Sequence, residues 1–368
     1  MHPVRDMMAV VHGDDFVFVG LDEDLDSILG VLKKNYELKN RGRLGFGKND
    51  VKEIDMLGRI IRLEGDGITW QGDPRHQDLL EEYFGMDATT KTLTKNGYDD
   101  DDKEGPDENG GLTKEEFKAY RMLAARLNYM AQDNPMVQYS AKEVCRSMAN
   151  PMVKDFAKIK RVVRFLKGIG AVRWRYKWQE EEEFGAIVVY VDSDWAGCRR
   201  TRRSTTGGVI KAGRHVLRTW SATQATIATS SGEAELIAMA DGASRGLGLR
   251  TVLEEMGVET RLSIVQMNTD SSVAKSFVST RGLGKMRHLE VKILWLQECV
   301  QRGRISVGKV SGRSNIADAL TKYQGVGRLC ELCIPHGIEP MPSGGPPGEG
   351  RGTEGGCRDM GPGIHNRF

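Results

Sequence analysis

Four acidic residues stand where their types and spacing could do chemistry together. Asp192 closes the apolar run Tyr190-Val191-Asp192-Ser193-Asp194-Trp195-Ala196-Gly197. Glu235 lies in Ser230-Ser231-Gly232-Glu233-Ala234-Glu235-Leu236, Asp270 in Asn268-Thr269-Asp270-Ser271, and Asp318 in Asn315-Ile316-Ala317-Asp318-Ala319-Leu320-Thr321-Lys322. Carboxylates separated by strand-like and helix-like stretches suit phosphodiester hydrolysis with magnesium, a hard cation that takes oxygen ligands and keeps some of its waters. Two such ions about 4 Å apart clamp the attacking and leaving oxygens of an in-line displacement. No single segment can surround both ions, so the ligands have to come from distant parts of one sheet. An aspartate at the end of an apolar strand is also costly to bury unless it is paired or metal-bound.

The stretches between these residues supply such a sheet. A strand is expected from Ala186 to Asp192, with further strands from Thr206 to Ala212 and from His215 to Ser221. A helix from Gly232 to Met256 carries Glu235. A strand from Ser263 to Thr269 leads to Asp270, with a helix from Ser271 to Phe277 behind it. A helix from Leu289 to Arg302, a strand from Ile305 to Val310 and a last helix starting at Ile316 complete the pattern. Some neighbouring acids have plainer readings. Asp194 reads as a turn cap, and Glu233 as negative charge at a helix N-terminus, which the helix dipole favours. Asp318 taken alone fits that second role too.

The blocks Asp192-Ser193-Asp194-Trp195-Ala196-Gly197, Arg203-Ser204-Thr205-Thr206-Gly207-Gly208, Trp220-Ser221, Glu233-Ala234-Glu235, Thr269-Asp270-Ser271, Arg287-His288-Leu289-Glu290 and Ala317-Asp318-Ala319-Leu320-Thr321-Lys322 occur in that order. In order and spacing this series resembles the ribonuclease H domain of copia-type LTR-retrotransposon Pol polyproteins. The resemblance implies an α/β fold, a ribonuclease H-like mixed five-stranded sheet with flanking helices. It also implies an RNA–DNA hybrid as partner, with hydrolysis of the RNA strand by two Mg2+ ions for which Mn2+ substitutes. Carried over by position, it makes Asp192, Glu235, Asp270 and Asp318 the metal-binding, catalytic carboxylates. Cellular ribonucleases H of this fold carry a His before the last helix, whereas here Lys309-Val310-Ser311-Gly312-Arg313-Ser314 has none. His288 matches a His of the copia-type domain and reads either as a substrate contact or as a structural residue.

The first third of the chain resembles the end of the reverse-transcriptase palm and thumb of the same family. Met7 to Gly20 reads as a hairpin around Gly13-Asp14-Asp15, where that family carries Tyr-Val-Asp-Asp. The resemblance thus names Asp14 and Asp15 as polymerase metal ligands. Leu57-Gly58-Arg59-Ile60 and Leu79-Leu80 through Phe84-Gly85-Met86 extend the match, and strands are expected around Asp55–Leu63 and Ile68–Trp70. Met1 stands only 13 residues before Asp14, too few for fingers or an earlier palm strand. The expectation is a truncated α+β palm/thumb remnant over 1–95, with no DNA synthesis from this chain alone. Residues 96–112, with four consecutive aspartates from Asp99 to Asp102, read as an acidic flexible linker. Residues 113–180 read as a helical connection, opened by the capping-box form Thr113-Lys114-Glu115-Glu116. The ribonuclease H-like domain is expected over 186–322. A Gly/Pro-rich tail over 323–368, with six of the eleven prolines, is expected to be disordered.

Bulk properties exclude several classes. Of 368 residues, 39% are hydrophobic and 28% charged, an ordinary soluble composition, and the net charge of +2 does not by itself mark a nucleic-acid binder. Local charge says more: Arg199, Arg200, Arg202 and Arg203 follow the Asp192 strand directly and read as phosphate contacts, or else as a solvated basic loop. The six cysteines are scattered, which is not the framework of a small secreted domain. Cys330, Cys333 and His336 hint at zinc, but the spacing lacks the usual fourth ligand and chance is the preferred reading. With no signal peptide and no apolar run long enough to span a bilayer, an intracellular protein of cytoplasm or nucleus is expected, with other Pol segments as further partners and no membrane contact. The alternative to an active nuclease is a catalytically inactive retroelement remnant that binds nucleic acid.

Overall fold

Ile187, Val189 and Val191 are buried in alternation with half-exposed Val188 and Tyr190, and this period of two makes the strand that ends in Asp192. The computed structural model describes residues 7–97, 112–180, 184, 186–257, 264–282 and 291–341. His288 and the aspartates of the acidic stretch lie outside these residues.

In chain order, β1 (Met7–His12) and β2 (Asp15–Gly20) pair, among the described residues, only with each other, and α1 (Asp22–Asn35) follows. Next come β3 (Glu53–Met56), β4 (Arg59–Glu64), β5 (Gly67–Gly72) and α2 (Arg75–Tyr83). Helices α3 (Lys114–Ala131), α4 (Pro135–Cys145) and α5 (Val153–Ile169) lead to β6 (Ala171–Lys177). Then follow β7 (Ile187–Asp194), β8 (Thr205–Ala212), β9 (His215–Thr223), α6 (Ser231–Glu255), β10 (Val265–Thr269), α7 (Ser272–Val278), α8 (Val291–Gln301) and β11 (Ile305–Lys309). A 3-10 turn over Ile316–Leu320, α9 (Val326–Cys333) and β12 (Ile338–Met341) complete the described chain.

One five-stranded sheet has the order β9-β8-β7-β10-β11, with β7 to β9 antiparallel and β10 and β11 parallel to β7. This is the ribonuclease H-like arrangement that the motifs imply. One of its faces packs on α6 and α8 through Val189, Val191, Ile210, Leu236, Met239 and Leu296. Helix α6 comes unusually close. A Cβ on Gly242 would fall 2.5 Å from Val191 Cγ1, and one on Gly246 would fall 2.8 Å from Val189 Cγ2. The glycines therefore let the helix backbone settle onto β7, at a cost in helix propensity of roughly 1 kcal/mol each.

The other face shares its core with the preceding helices. Val209, Val216, Ile316 and Leu320 lie in one cluster with Tyr120, Leu123, Leu127, Met136, Ile159 and Phe165. The division expected between 113–180 and 186–322 thus does not divide the core. Gln138 on α4 donates to Thr219 Oγ1 on β9 at 2.8 Å, across the same boundary. The capping box at Thr113 forms as expected, with the Glu116 amide donating to the Thr113 hydroxyl and Glu116 accepting from the Thr113 amide.

A second five-stranded sheet, β12-β6-β5-β4-β3, corrects three expectations. The strand expected from Asp55 to Leu63 is instead a hairpin, turned by Leu57 (φ 54°) and Gly58 (φ 72°). Positive φ at both central residues is the two-residue turn whose twist matches flanking strands. The connection is not purely helical, because Val172 and Trp174 alternate with Arg173 and Arg175 and bury one face of β6. Residues 326–341 are helix and strand, not tail. Leu329, Leu332, Cys333 and Ile338 join the shared core, and β12 pairs with β6 from Ile338↔Trp174 to Met341↔Ala171. Asn96 is no linker residue either. It is fully buried, donating to the Met136 carbonyl at 2.7 Å and accepting from the Gln324 amide at 2.9 Å. On α2, Leu80 alone is buried while Leu79 and Tyr83 stay exposed, and α1 buries no side chain.

If residues 326–333 are core, Leu329→Ala should cost about 2–5 kcal/mol by opening a cavity. Urea denaturation measures this directly, and an unchanged midpoint would return the segment to the tail.

Candidate metal-binding carboxylate site

The C-terminal ends of the parallel strands β7 and β10 lie side by side, the usual place for a site in a sheet of this kind. Asp192 is on β7 and Asp270 directly follows β10. Glu235 comes from the first turns of α6, which Ser230 caps by accepting from the Glu233 amide at 3.2 Å. Carboxylate oxygens of Asp192, Glu235 and Asp270 all lie within 4.8 Å of one another. Asp192 and Glu235 are buried and Asp270 is half-buried. This is the one such group of acidic, His or Cys ligands among the described residues.

Burial makes the charges unwelcome. Desolvation, with Asp318 and Asp270 nearby, pushes the Asp192 carboxyl up to about 7 despite a hydrogen bond from Thr321. Desolvation and the neighbouring Asp192 push Glu235 up to about 8, against the bonds from Ser193. Glu235 Oε1 accepts from the Ser193 amide at 3.2 Å and the Ser193 hydroxyl at 2.9 Å. Its Oε2 is buried with no hydrogen-bond partner. An orphaned oxygen on a carboxylate grouped with two further carboxylates suits a hard divalent cation, which takes oxygen ligands.

Asp318, on the 3-10 turn, stands beside the group but outside it. It raises the Asp192 carboxyl through space, while its own oxygens go to Lys322 (a close ion pair), Arg328 at 3.4 Å and Gln324 at 3.2 Å. The turn is fixed to the sheet by buried Asn315, which donates to the Val191 carbonyl at 2.9 Å and accepts from the Ala317 amide at 3.2 Å. Gly207, opposite Asp192 on β8, makes room for it: a Cβ there would fall 2.7 Å from the Ala317 carbonyl. The turn then delivers Thr321, whose hydroxyl donates to Asp192 Oδ2 at 2.6 Å.

Asp194 and Glu233 take the plainer roles. Asp194 accepts from the Thr205 amide and closes the loop between β7 and β8, and burial lifts its carboxyl to about 6. Glu233 accepts from the Thr229 amide at 2.6 Å and the Thr229 hydroxyl at 2.8 Å, locking the start of α6. The loop that Asp194 closes carries Arg199, Arg200, Arg202 and Arg203, all exposed. Its backbone is tightly specified: Ala196 and Arg202 hold φ of 54° and 55°, and the Ala196 amide donates to Ser204 Oγ at 2.9 Å. Arg146, which caps the C-terminus of α4, pins it by donating to Thr201 Oγ1 at 3.3 Å and to Cys198 Sγ.

Other sequence candidates are not brought here. Asp14 and Asp15 stand exposed at the tip of the β1–β2 hairpin, with Asp15 3.8 Å from Arg41 and no third ligand among the described residues. Cys333 is buried in the core, and His336 contacts Lys211 Nζ at 3.0 Å. Sequence reasoning missed Thr321, Ser193, Lys322 and Arg328 as neighbours of the carboxylates. The i,i+4 spacing of Asp318 and Lys322 was a readable signal. Arg328 carried none, because it fell in the expected tail.

The raised carboxyls bind protons more tightly in the folded state than in the unfolded chain. Without metal, their contribution to stability is fully present below about pH 4 and is lost as pH rises through about 7 to 8. In chelator, Asp192→Asn should therefore raise Tm at pH 8 and leave it nearly unchanged at pH 4.5. Equal Tm for both proteins at pH 8 would contradict the burial argument.

No family model matches the chain. It is 24% identical over 334 residues to the retrovirus-related Pol polyprotein from transposon TNT 1-94 of Nicotiana tabacum, covering 89% of this chain and 24% of that protein. It is 26% identical over 206 residues to the retrovirus-related Pol polyprotein from transposon RE1 of Arabidopsis thaliana, covering 55% of this chain and 14% of that protein. The chain thus spans a quarter or less of the length of these two polyproteins. Among solved structures, LC11-RNase H1 is similar at 18% identity with a TM-score of 0.30, over 37% of this chain and 93% of that one. By sequence, the chain is a relative of the copia-type retrovirus-related Pol polyproteins of plant transposons.

Proposed function

We propose that the chain hydrolyses the RNA strand of RNA–DNA hybrids at the Asp192–Glu235–Asp270 cluster, as part of a retroelement Pol protein. The observation that carries this reading is the convergence of three carboxylates at one sheet end, with a buried Glu235 oxygen that has no partner. The similarity to Pol polyproteins supports the retroelement setting.

Asp192, Glu235 and Asp270 would hold Mg2+, with Asp318, the fourth carboxylate of the motif series, beside them. Magnesium held there would lower the pKa of an attacking water and stabilise the leaving 3′ oxygen. The chain's own contribution is to keep the carboxylates in place. Ser193 orients Glu235, Thr321 orients Asp192, and Lys322 and Arg328 keep Asp318 beside the cluster. In the reaction, water oxygen bonds to phosphorus, the bond from phosphorus to O3′ breaks, and the 3′ oxygen gains a proton. Hybrid recognition through backbone shape and 2′-hydroxyls needs no base readout, and the four exposed arginines on their pinned loop suit phosphate contact. Mn2+ would substitute for Mg2+. A non-cleaving hybrid binder is the second reading, and the ion pairs that occupy Asp318 favour it.

An end-labelled RNA–DNA duplex with the full chain and Mg2+ separates the two. Cleavage is expected, and Asp192→Asn or Asp270→Asn should reduce it by orders of magnitude while the far-UV spectrum stays native. Wild-type rates in either variant would sink the site assignment, and no cutting by the wild type would leave the binder.

Arg199, Arg200, Arg202 and Arg203 should add a salt-dependent, sequence-independent contribution to affinity. Changing all four to Gln should flatten the plot of log affinity against log salt by about 0.9 for each phosphate no longer neutralised, taking duplex DNA as reference. The rate at saturating substrate should change much less. Identical slopes for the two proteins would make the cluster a solvated loop.

A further inference from the structure

Both buried carboxylates of the cluster have one oxygen tied by a neighbouring hydroxyl. Thr321 is 1% exposed, and its Oγ1 donates to Asp192 Oδ2 at 2.6 Å, which leaves Oδ1 as the atom for a ligand. The competing acceptor for the same proton, the Asp318 carbonyl, is further away at 3.3 Å. Across the cluster, the hydroxyl and amide of Ser193 hold Glu235 Oε1 and leave Oε2 buried without a partner. The two anchors come from different elements and act on different carboxylates, yet the outcome is the same: one oxygen is restrained and the other is left.

The Thr321 anchor is itself built. Its hydroxyl arrives only because the 3-10 turn lies against β8, where a Cβ on Gly207 would fall 2.8 Å from Thr321 Cγ2. The turn is held from the other side by the Asn315 bond to the Val191 carbonyl. The hydroxyl is thus delivered to Asp192 by rigid backbone on both sides.

We infer that Thr321 and Ser193 are positioning residues that select which oxygens of Asp192 and Glu235 are presented to a divalent cation. This rests on reading the cluster as a cation site. A carboxylate free to rotate has to be ordered when it binds metal, whereas one anchored beforehand does not. Removing such an outer partner of a ligand typically weakens metal binding by about 10–100-fold.

The test is calorimetric titration of the full chain with Mn2+ alone, beside thermal melts in chelator. Thr321→Val keeps the shape and removes the donor, and Mn2+ affinity should fall by about 10–100-fold. Thr321→Ser should restore it, which a purely structural role for the Thr321 methyl would not do. Ser193→Ala keeps the backbone bond to Glu235 and leaves the 316–320 turn untouched. It should weaken Mn2+ binding less than Thr321→Val, and it tests the idea independently if Thr321→Val does not fold. Wild-type affinity in Thr321→Val or Ser193→Ala overturns the positioning role of that residue and leaves the cation site standing. A Thr321→Ser protein as weak as Thr321→Val also overturns it, because packing would then be the cause. A wild-type chain that binds no Mn2+ overturns the cation-site reading, and this inference with it.

Discussion

Asp192 and Glu235 are buried side by side at the end of an apolar strand, with Asp270 completing the group. Like charges in a poorly solvated place repel, and each disfavours ionisation of its neighbour. Everything around them meets this constraint in one of two ways. Some groups supply hydrogen bonds, as Ser193 does to Glu235 and Thr321 to Asp192. Others bring positive charge, as Lys322 and Arg328 do to Asp318. Glu235 Oε2 is left buried without a hydrogen-bond partner. A buried polar atom without a partner asks for an explanation, and the proposed cation would supply one.

The same constraint goes with close packing around the site. Helix α6 presses Gly242 and Gly246 onto Val191 and Val189, which fixes the distance from Glu235 to the strand. Gly207 permits the approach of the 3-10 turn from the opposite face. Each contact replaces side-chain volume with backbone proximity, and such packing tolerates no added methyl without a shift of the elements. The site is therefore held between two cores, one against α6 and α8 and one against the helices of residues 114–169.

The returning segment ties these parts together. After Asp318 the chain supplies Lys322, Gln324 and Arg328 to that carboxylate, then buries Leu329 and Leu332, and ends in β12 against β6. One stretch of chain thus serves both the electrostatics of the site and the edge of the second sheet. The N-terminal hairpin and α1 differ: among the described residues, β1 and β2 pair only with each other, and α1 has no buried side chain. An isolated two-stranded ribbon is marginal in water, so this part gains little from its own contacts.

The strands and helices of the ribonuclease H-like sheet were legible from the residues alone, because their periodicities are local and their caps are written in neighbouring residues. Observed strands and helices over 187–309 lie within two residues of those read from the pattern, for example β8 at Thr205–Ala212 and α6 at Ser231–Glu255. Asp192, Glu235 and Asp270 were legible for the same reason, each standing at the end or start of a readable element. The second sheet was not. β6 is seven residues of alternating apolar and basic character between longer helical signals, and β12 is four residues in a stretch rich in Gly and Pro. Short strands carry little local preference, and these are stabilised by each other across about 160 residues of chain. Nor does spacing tell which carboxylate oxygen is anchored, or that Asp318 faces Lys322 and Arg328 instead of its fellow acids. Those depend on side-chain orientation and burial, which exist only once the sheet, the glycine contacts and the returning segment are in place.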